Sequence, residues 1–360
     1  MTDNNPPAAA SAAGPAVEPD GGQSDTDSAI ASTIDGSDIA SITSSIKNFV
    51  YENGRRYHSY CEGEYVLPND EQEQDRLDLS HHLYKMLLGG ELYLAPIPEN
   101  PQRVLDLGTG TGIWAIEFAD LHPTAEVLGN DLSPIQPSWY FLFDSHYILD
   151  ILKMLTPGRV PTNCKFEIDD FEADWTYTRK FDFIHGRELE GSVRDYDQLF
   201  KQCFDNLRPG GYLEMQSIEV ATYSDDGSHL RSEMFIKGLD LVTEASIKFG
   251  KSMQTMGTWK KKMELAGFVN VTEKIYKLPQ RPWPDDPKQK ELGLYNQANI
   301  LEALGSYTYA LLSRVLHWNR LEIEVLLAGV RREIKDVSIH SYTKVYFVYG
   351  QKPKEQPREA

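Results

Sequence analysis

The residues richest in chemistry stand close together in the stretch VLDLGTGTGIWAIEFAD, residues 104–120. An apolar run ends at Asp106 and Leu107, Gly108, Gly110 and Gly112 follow at alternate positions, and an amphipathic stretch comes next. Glycines at this spacing permit a tight turn and let a ligand approach the backbone closely. The start of the following helix adds free N–H donors and a positive dipole end. The pattern is GxGxG, and Ile113 stands where a dinucleotide fingerprint has its third glycine. A bulky residue there hinders close helix–strand packing.

The carboxylate on the loop decides which ligand suits it. Asp106 would repel a pyrophosphate and favours a cation. S-adenosylmethionine offers an ammonium and a sulfonium and carries no phosphate. Asp131 follows nineteen residues after Gly112, at the end of the next apolar run. An acid at about that distance reaches ribose hydroxyls, and one carboxylate accepts from both. Further on, FEIDDFEADW at 166–175 places Asp169, Asp170 and Phe171 at another strand end. An acid here could accept the adenine amino group while Phe171 stacks on the ring; Asp170 is preferred, with Asp169 a near rival. The candidate cofactor contacts are therefore Asp106, Gly108, Thr109, Gly110, Gly112, Asp131, Leu132, Asp169, Asp170 and Phe171. In FDFIHGRELEG, from 181, His185 and Arg187 fall at a strand end and face the cleft. They are the candidate catalytic pair, His185 as a base and Arg187 as a carboxylate clamp. No metal-ligand cluster is evident.

These residues need a scaffold. Apolar runs at 103–107, 126–130, 164–168, 181–185, 211–216, 270–278 and 344–350 read as strands, with helical stretches between most of them. That alternation predicts an α/β fold with a mostly parallel sheet covered on both faces. Residues 70–90 open with acids, continue with leucines at helical spacing and end in Gly-Gly, which predicts a helix. Residues 39–50 suggest a short helix, and 51–68 an extended or hairpin lead-in. A helical insert of about 285–335, carrying Tyr295, Tyr307, Tyr309 and Trp318, precedes the last strand and is placed to cap the substrate side. If it forms a cap, the acceptor is a moderately apolar small molecule.

Composition narrows the class. Net charge is -18, and an acidic surface repels phosphate backbones, so direct nucleic-acid binding is not expected. Cys61, Cys164 and Cys203 are odd in number and widely spaced, which points to free thiols in a reducing compartment. No apolar run approaches membrane-spanning length, and no secretory signal is evident. Seven acids precede the first basic residue, Lys47. Residues 1–45 are therefore expected to be a disordered acidic tail. Residues 46–100 form the lead-in and helices, 101–353 the catalytic domain, and 354–360 a short tail.

Together these segments resemble the class I S-adenosylmethionine-dependent methyltransferases, and more narrowly the fungal LaeA-like (UMTA) methyltransferase family. The lead-in ENGRRYH…LPND…QDRLDL carries the narrower likeness, with the glycine loop, FDFIHGRELEGSVRDYDQLF, SRVLHWNRLEIEVLLAGVRREIKD and VYFVYGQKP. The likeness covers roughly residues 48–353. It implies a Rossmann-like seven-stranded sheet with an antiparallel last strand, and S-adenosylmethionine near Gly108, Gly110, Asp131 and Asp170. Members include secondary-metabolism enzymes and a nuclear regulator of secondary-metabolite gene clusters. The chain departs from the pattern at His317, where a glycine is expected after Leu316, and in its acidic tail.

The leading expectation is a methyltransferase acting on a small-molecule acceptor of fungal secondary metabolism. The alternative is a regulator in a nuclear protein complex, with the tail as an interaction segment. Cytoplasmic or nuclear placement follows accordingly. An NAD-dependent oxidoreductase is disfavoured by Asp106; a catalytically silent scaffold is the remaining reading.

Overall fold

A computed structural model describes residues 49–58, 66–137 and 160–354. The acidic tail, Cys61 and the last six residues lie outside the described residues. Val50, expected at the end of a short helix, instead pairs with Tyr57 in a hairpin of β1 (Phe49–Glu52) and β2 (Arg55–His58). Its turn is Asn53-Gly54, both at positive φ (53° and 80°). Asn-Gly is the dipeptide that tolerates two successive left-handed residues, so the turn overrides the weak helical pattern.

Helix α1 (Glu71–Leu87) starts where Asp70 accepts from the Glu73 backbone N–H. It ends before Gly89 and Gly90, both at positive φ. The central sheet then begins with β3 (Arg103–Leu107), α2 (Ile113–Leu121), β4 (Glu126–Asp131) and β5 (Cys164–Ile168). It continues with β6 (Phe181–Arg187), α3 (Tyr196–Asn206), β7 (Leu207–Ile218), α4 (Glu233–Phe249) and α5 (Met256–Leu265). Next come β8 (Val269–Pro279), α6 (Pro287–Ala310), a π turn at Leu311–Val315, α7 (Arg320–Ile334) and β9 (Tyr342–Gln351).

The seven strands lie in the order β5-β4-β3-β6-β7-β9-β8, all parallel except β9, which is antiparallel to both neighbours. The expected strands and the antiparallel last strand are all present. Successive residues of a strand point to opposite faces. Accordingly, Val104 and Phe183 pack with Trp114 and Phe118 of α2. Their neighbours Leu105 and Ile184 pack with Phe200 and Cys203 of α3 and with Trp259 and Met263 of α5. Every residue of β3 is buried, which is why that strand reads as an apolar run interrupted only by Arg103 at its start and Asp106.

The helical insert forms its own apolar cluster with α4. Leu304, Leu312, Ile323, Leu327 and Val330 pack there against Phe235 and Val242. Among the described residues no helix is long and apolar enough to cross a membrane.

Candidate active site

The carboxyl end of β3 places Asp106 below the glycine loop. Its carboxylate is 3% exposed and already engaged: Thr109 Oγ1 donates to Oδ2 at 2.6 Å, and His185 Nδ1 lies 2.7 Å from Oδ1. A carboxylate only accepts, so Nδ1 carries the proton. The imidazole is wholly buried and lies flat on Trp114, centroids 3.8 Å apart and planes 4° apart. Burial pushes the His185 pKa down, against the opposing pull of Asp106. A neutral imidazole leaves the pair with one negative charge beneath the loop.

Asp131 holds the loop from the other side. Gly110 N–H donates to Oδ2 and Ser133 N–H to Oδ1, each at 2.8 Å. Burial raises its pKa to about 6. Leu132 follows it in the chain and is partly buried.

The three loop glycines serve different ends. Gly108 and Gly110 both sit at φ +58°, the left-handed region where a side chain is strained. A Cβ at Gly112 would meet the Phe166 ring of β5 at 2.5 Å. The close helix–sheet approach expected of a third fingerprint glycine is thus made at Gly112, one residue before Ile113.

A small cavity of about 40 Å³ lies over this loop, lined by Asp106, Gly108, Thr109, Gly110, His185 and Arg187 among others. Arg187 sits over the Tyr84 ring at 5.0 Å, with Nη2 3.0 Å from His81 Nδ1. Asp169 and Asp170 lie beyond β5. The Asp169 backbone N–H donates to the carbonyl of Asp131. Asp170 caps its own turn through the Glu172 N–H and lines a separate cavity beside Gln198. Phe171 is 6% exposed and packs into the core near Gly108. The structure therefore joins Asp106, the loop, Asp131, His185 and Arg187 into one region. It sets Asp170 to one side of it, while the Phe171 ring packs beside Gly108.

A second cavity, of about 150 Å³, was not anticipated residue by residue. It lies between the end of β7 and helices α4, α6 and α7, and its open surface is largely apolar, with Val220, Leu239, Val242, Ile300 and Leu327 among its lining. Its polar end carries Arg76, Glu188, Glu190, Ser217 and Tyr307. Glu188 lines both cavities. It is held by Ser80 Oγ at 2.7 Å and faces Arg76 at 3.8 Å.

Arg76 belongs to a buried network that begins in the hairpin. Arg55 pairs with Asp70 at 2.6 Å and donates to Ser306 Oγ at 3.2 Å. Ser306 Oγ donates to Glu73, Glu73 pairs with Arg76 at 2.8 Å, and Arg76 reaches Asn299 on α6. The lead-in motif is thus a polar clamp that fixes α1 against α6 beside the cavity. Of the aromatic residues noted in the insert, Tyr307 lines the cavity. Tyr309 and Trp318 pack in the cap cluster, and Tyr295 packs edge-on against His82.

The donor set fits a sulfonium nucleoside: anionic carboxylates face the loop, and among the described residues Arg187 is its one lining cation. Strand order and loop together define a class I, Rossmann-like methyltransferase. A family model described as a methyltransferase domain matches residues 79–273. The chain is 39% identical to methyltransferase pytC of Aspergillus terreus, over 88% of this chain and 92% of that one. It is 35% identical to the protein-methionine methyltransferase laeA of Emericella nidulans, over 85% and 77%. It is 32% identical to the secondary metabolism regulator LAE1 of Cochliobolus heterostrophus, over 84% and 95%. The chain belongs to the LaeA-like methyltransferase family, and S-adenosylmethionine is its cofactor.

Proposed function

We propose that the chain methylates a small, largely apolar acceptor held in the 150 Å³ cavity, as a step of secondary metabolism. The observation that carries this reading is the wall at Glu188, common to the acceptor cavity and the glycine-loop cavity. When bound, the cofactor supplies a methyl carbon already activated by its positive sulfur. The chain's own residues must then orient the acceptor and exclude water. Asp131 is assigned to the ribose hydroxyls, and Leu132 to the wall beside it. Gly108, Thr109 and Gly110 are assigned to backbone contacts, and Asp106 to the cationic end. Asp169 is favoured over Asp170 for the adenine, because Asp170 is committed to its own turn and another cavity.

His185 is read as a positioning residue rather than a base, since stacking on Trp114 and bonding to Asp106 leave it fixed and wholly buried. Arg187 is read as the cation at the junction of the two cavities. Incubation of purified protein with methyl-labelled S-adenosylmethionine and extracts of a strain lacking the gene tests the reading. A labelled apolar product supports it; label only in protein overturns it.

A second reading is favoured by the likeness to LAE1, whose name is that of a regulator. In that role the chain acts in the nucleus within a protein complex. Cell fractionation with recovery of bound partners separates it from the first.

A further inference from the structure

The polar end of the acceptor cavity holds a carboxyl group with one oxygen left without a hydrogen-bond partner among the described residues. Glu190 is 6% exposed and lines the cavity, and its Oε1 has no hydrogen-bond partner. Ser217, 1% exposed, lines the same wall beside Glu190; its Oγ makes no hydrogen bond of good geometry, and the Glu190 carboxyl is the group it approaches. The ion pairs of this region run from Arg55 to Asp70 and from Arg76 to Glu73 and Glu188, and they leave Glu190 out. Buried polar atoms are nearly always bonded, and an unsatisfied one costs about 1–3 kcal/mol. Such a pair on the wall of a chamber whose open surface is largely apolar is a binding element whose partner arrives with the ligand.

We propose that Glu190, aided by Ser217, hydrogen-bonds the acceptor, and that the acceptor is an uncharged, mostly apolar molecule bearing a hydroxyl. This rests on the methyltransferase reading and names the class of its substrate. The lining excludes two other classes. A carboxylate acceptor would meet Glu188 and Glu190 together. An ammonium would have to give up its hydration against a largely apolar surface whose other carboxylates, Glu188 and Glu219, are already engaged by Arg76 and by the Tyr223 hydroxyl. Burial raises the Glu190 pKa to about 8, against the neighbouring Ser217 hydroxyl, so the group is mainly neutral at pH 7 and donates as well as accepts. Apolar cavities of about 150 Å³ take up molecules the size of benzene.

The test uses the full chain saturated with S-adenosylhomocysteine and ligand-detected NMR. The probes are benzyl alcohol, with ethylbenzene and benzylammonium as comparators of similar shape. Glu190→Leu is expected to lower the benzyl alcohol to ethylbenzene affinity ratio about tenfold, the effect of one buried hydrogen bond. Glu190→Gln, which keeps the shape and the bonding capacity, is expected to hold the ratio within roughly twofold. An unchanged ratio in Glu190→Leu overturns the assignment of Glu190. Preference of the native chain for benzylammonium overturns the uncharged class. Calorimetry of S-adenosylhomocysteine on each variant separates the two levels of the argument. Cofactor binding retained with the ratio unmoved defeats this inference alone, and no cofactor binding in the native chain defeats the methyltransferase reading beneath it.

Discussion

At the scale of single residues, Asp131 and His185 carry the sharpest expectations. Asp131 accepts from Gly110 and Ser133, and its ionised form is the one suited to two ribose hydroxyls. With its pKa raised to about 6, affinity for S-adenosylhomocysteine should weaken as pH falls from 7 to 5. Asp131→Asn should bind at least roughly tenfold more weakly and lose that pH dependence, as calorimetry across pH will check. For His185 the useful measurement is the pH–rate profile of His185→Ala. A positioning role predicts a lower rate with an unchanged profile, because Asp106 and Thr109 lose their anchor. Loss of an ionisation from the profile would restore the role of base. The sequence exposed these groups because each sits at the end of an apolar run. It could not show that Asp106 is already occupied by His185, 79 positions away. Glu190 looked like any surface acid in GRELEG; only the packing of α4 and α6 against β7 reveals it as buried.

Elements show which motifs were structural. The lead-in stretch signalled the narrower family likeness, yet its residues serve a clamp between hairpin, α1 and α6. Arg76→Ala should cost about 3 kcal/mol or more, because it leaves buried Glu73 without its nearest counter-charge, Arg55 lying 3.7 Å away. Denaturant melts will read it, with an unaltered m-value marking a stability effect alone. The departure at His317 is legible in the same terms. His317 stands at φ +59° just after the π turn, the left-handed conformation that glycine adopts without strain. His317→Gly should therefore stabilise the chain by about 0.5–1 kcal/mol, seen as a higher Tm. Strand positions were readable because buried parallel strands are continuous apolar runs. The β1–β2 hairpin was only half readable, since the Asn53-Gly54 turn competes with the helical pattern before it.

For the whole molecule, buried acids set how stability varies with pH. Burial raises Glu190 to about 8 and Glu214 to about 7. Each holds its proton more tightly folded than unfolded, so its stabilising contribution is full below the ordinary carboxyl range, near pH 4.5, and is lost as pH rises from there through those values. Buried His81, lowered to about 4, works the other way, and its contribution is lost as pH falls below the ordinary imidazole range. The two acids outweigh the one imidazole, so the Tm should fall as pH rises from about 4.5 to 8.5, by roughly 5 °C over the last two pH units, with Glu190→Gln flattening the slope; calorimetric scans will show it. Glu188 has a consequence of another kind. Its backbone stands at φ +54°, and the residue lines both the glycine-loop cavity and the 150 Å³ cavity proposed for the acceptor. Filling either chamber must be felt by the other through it, and thermodynamic reciprocity requires the same coupling factor whichever guest enters first.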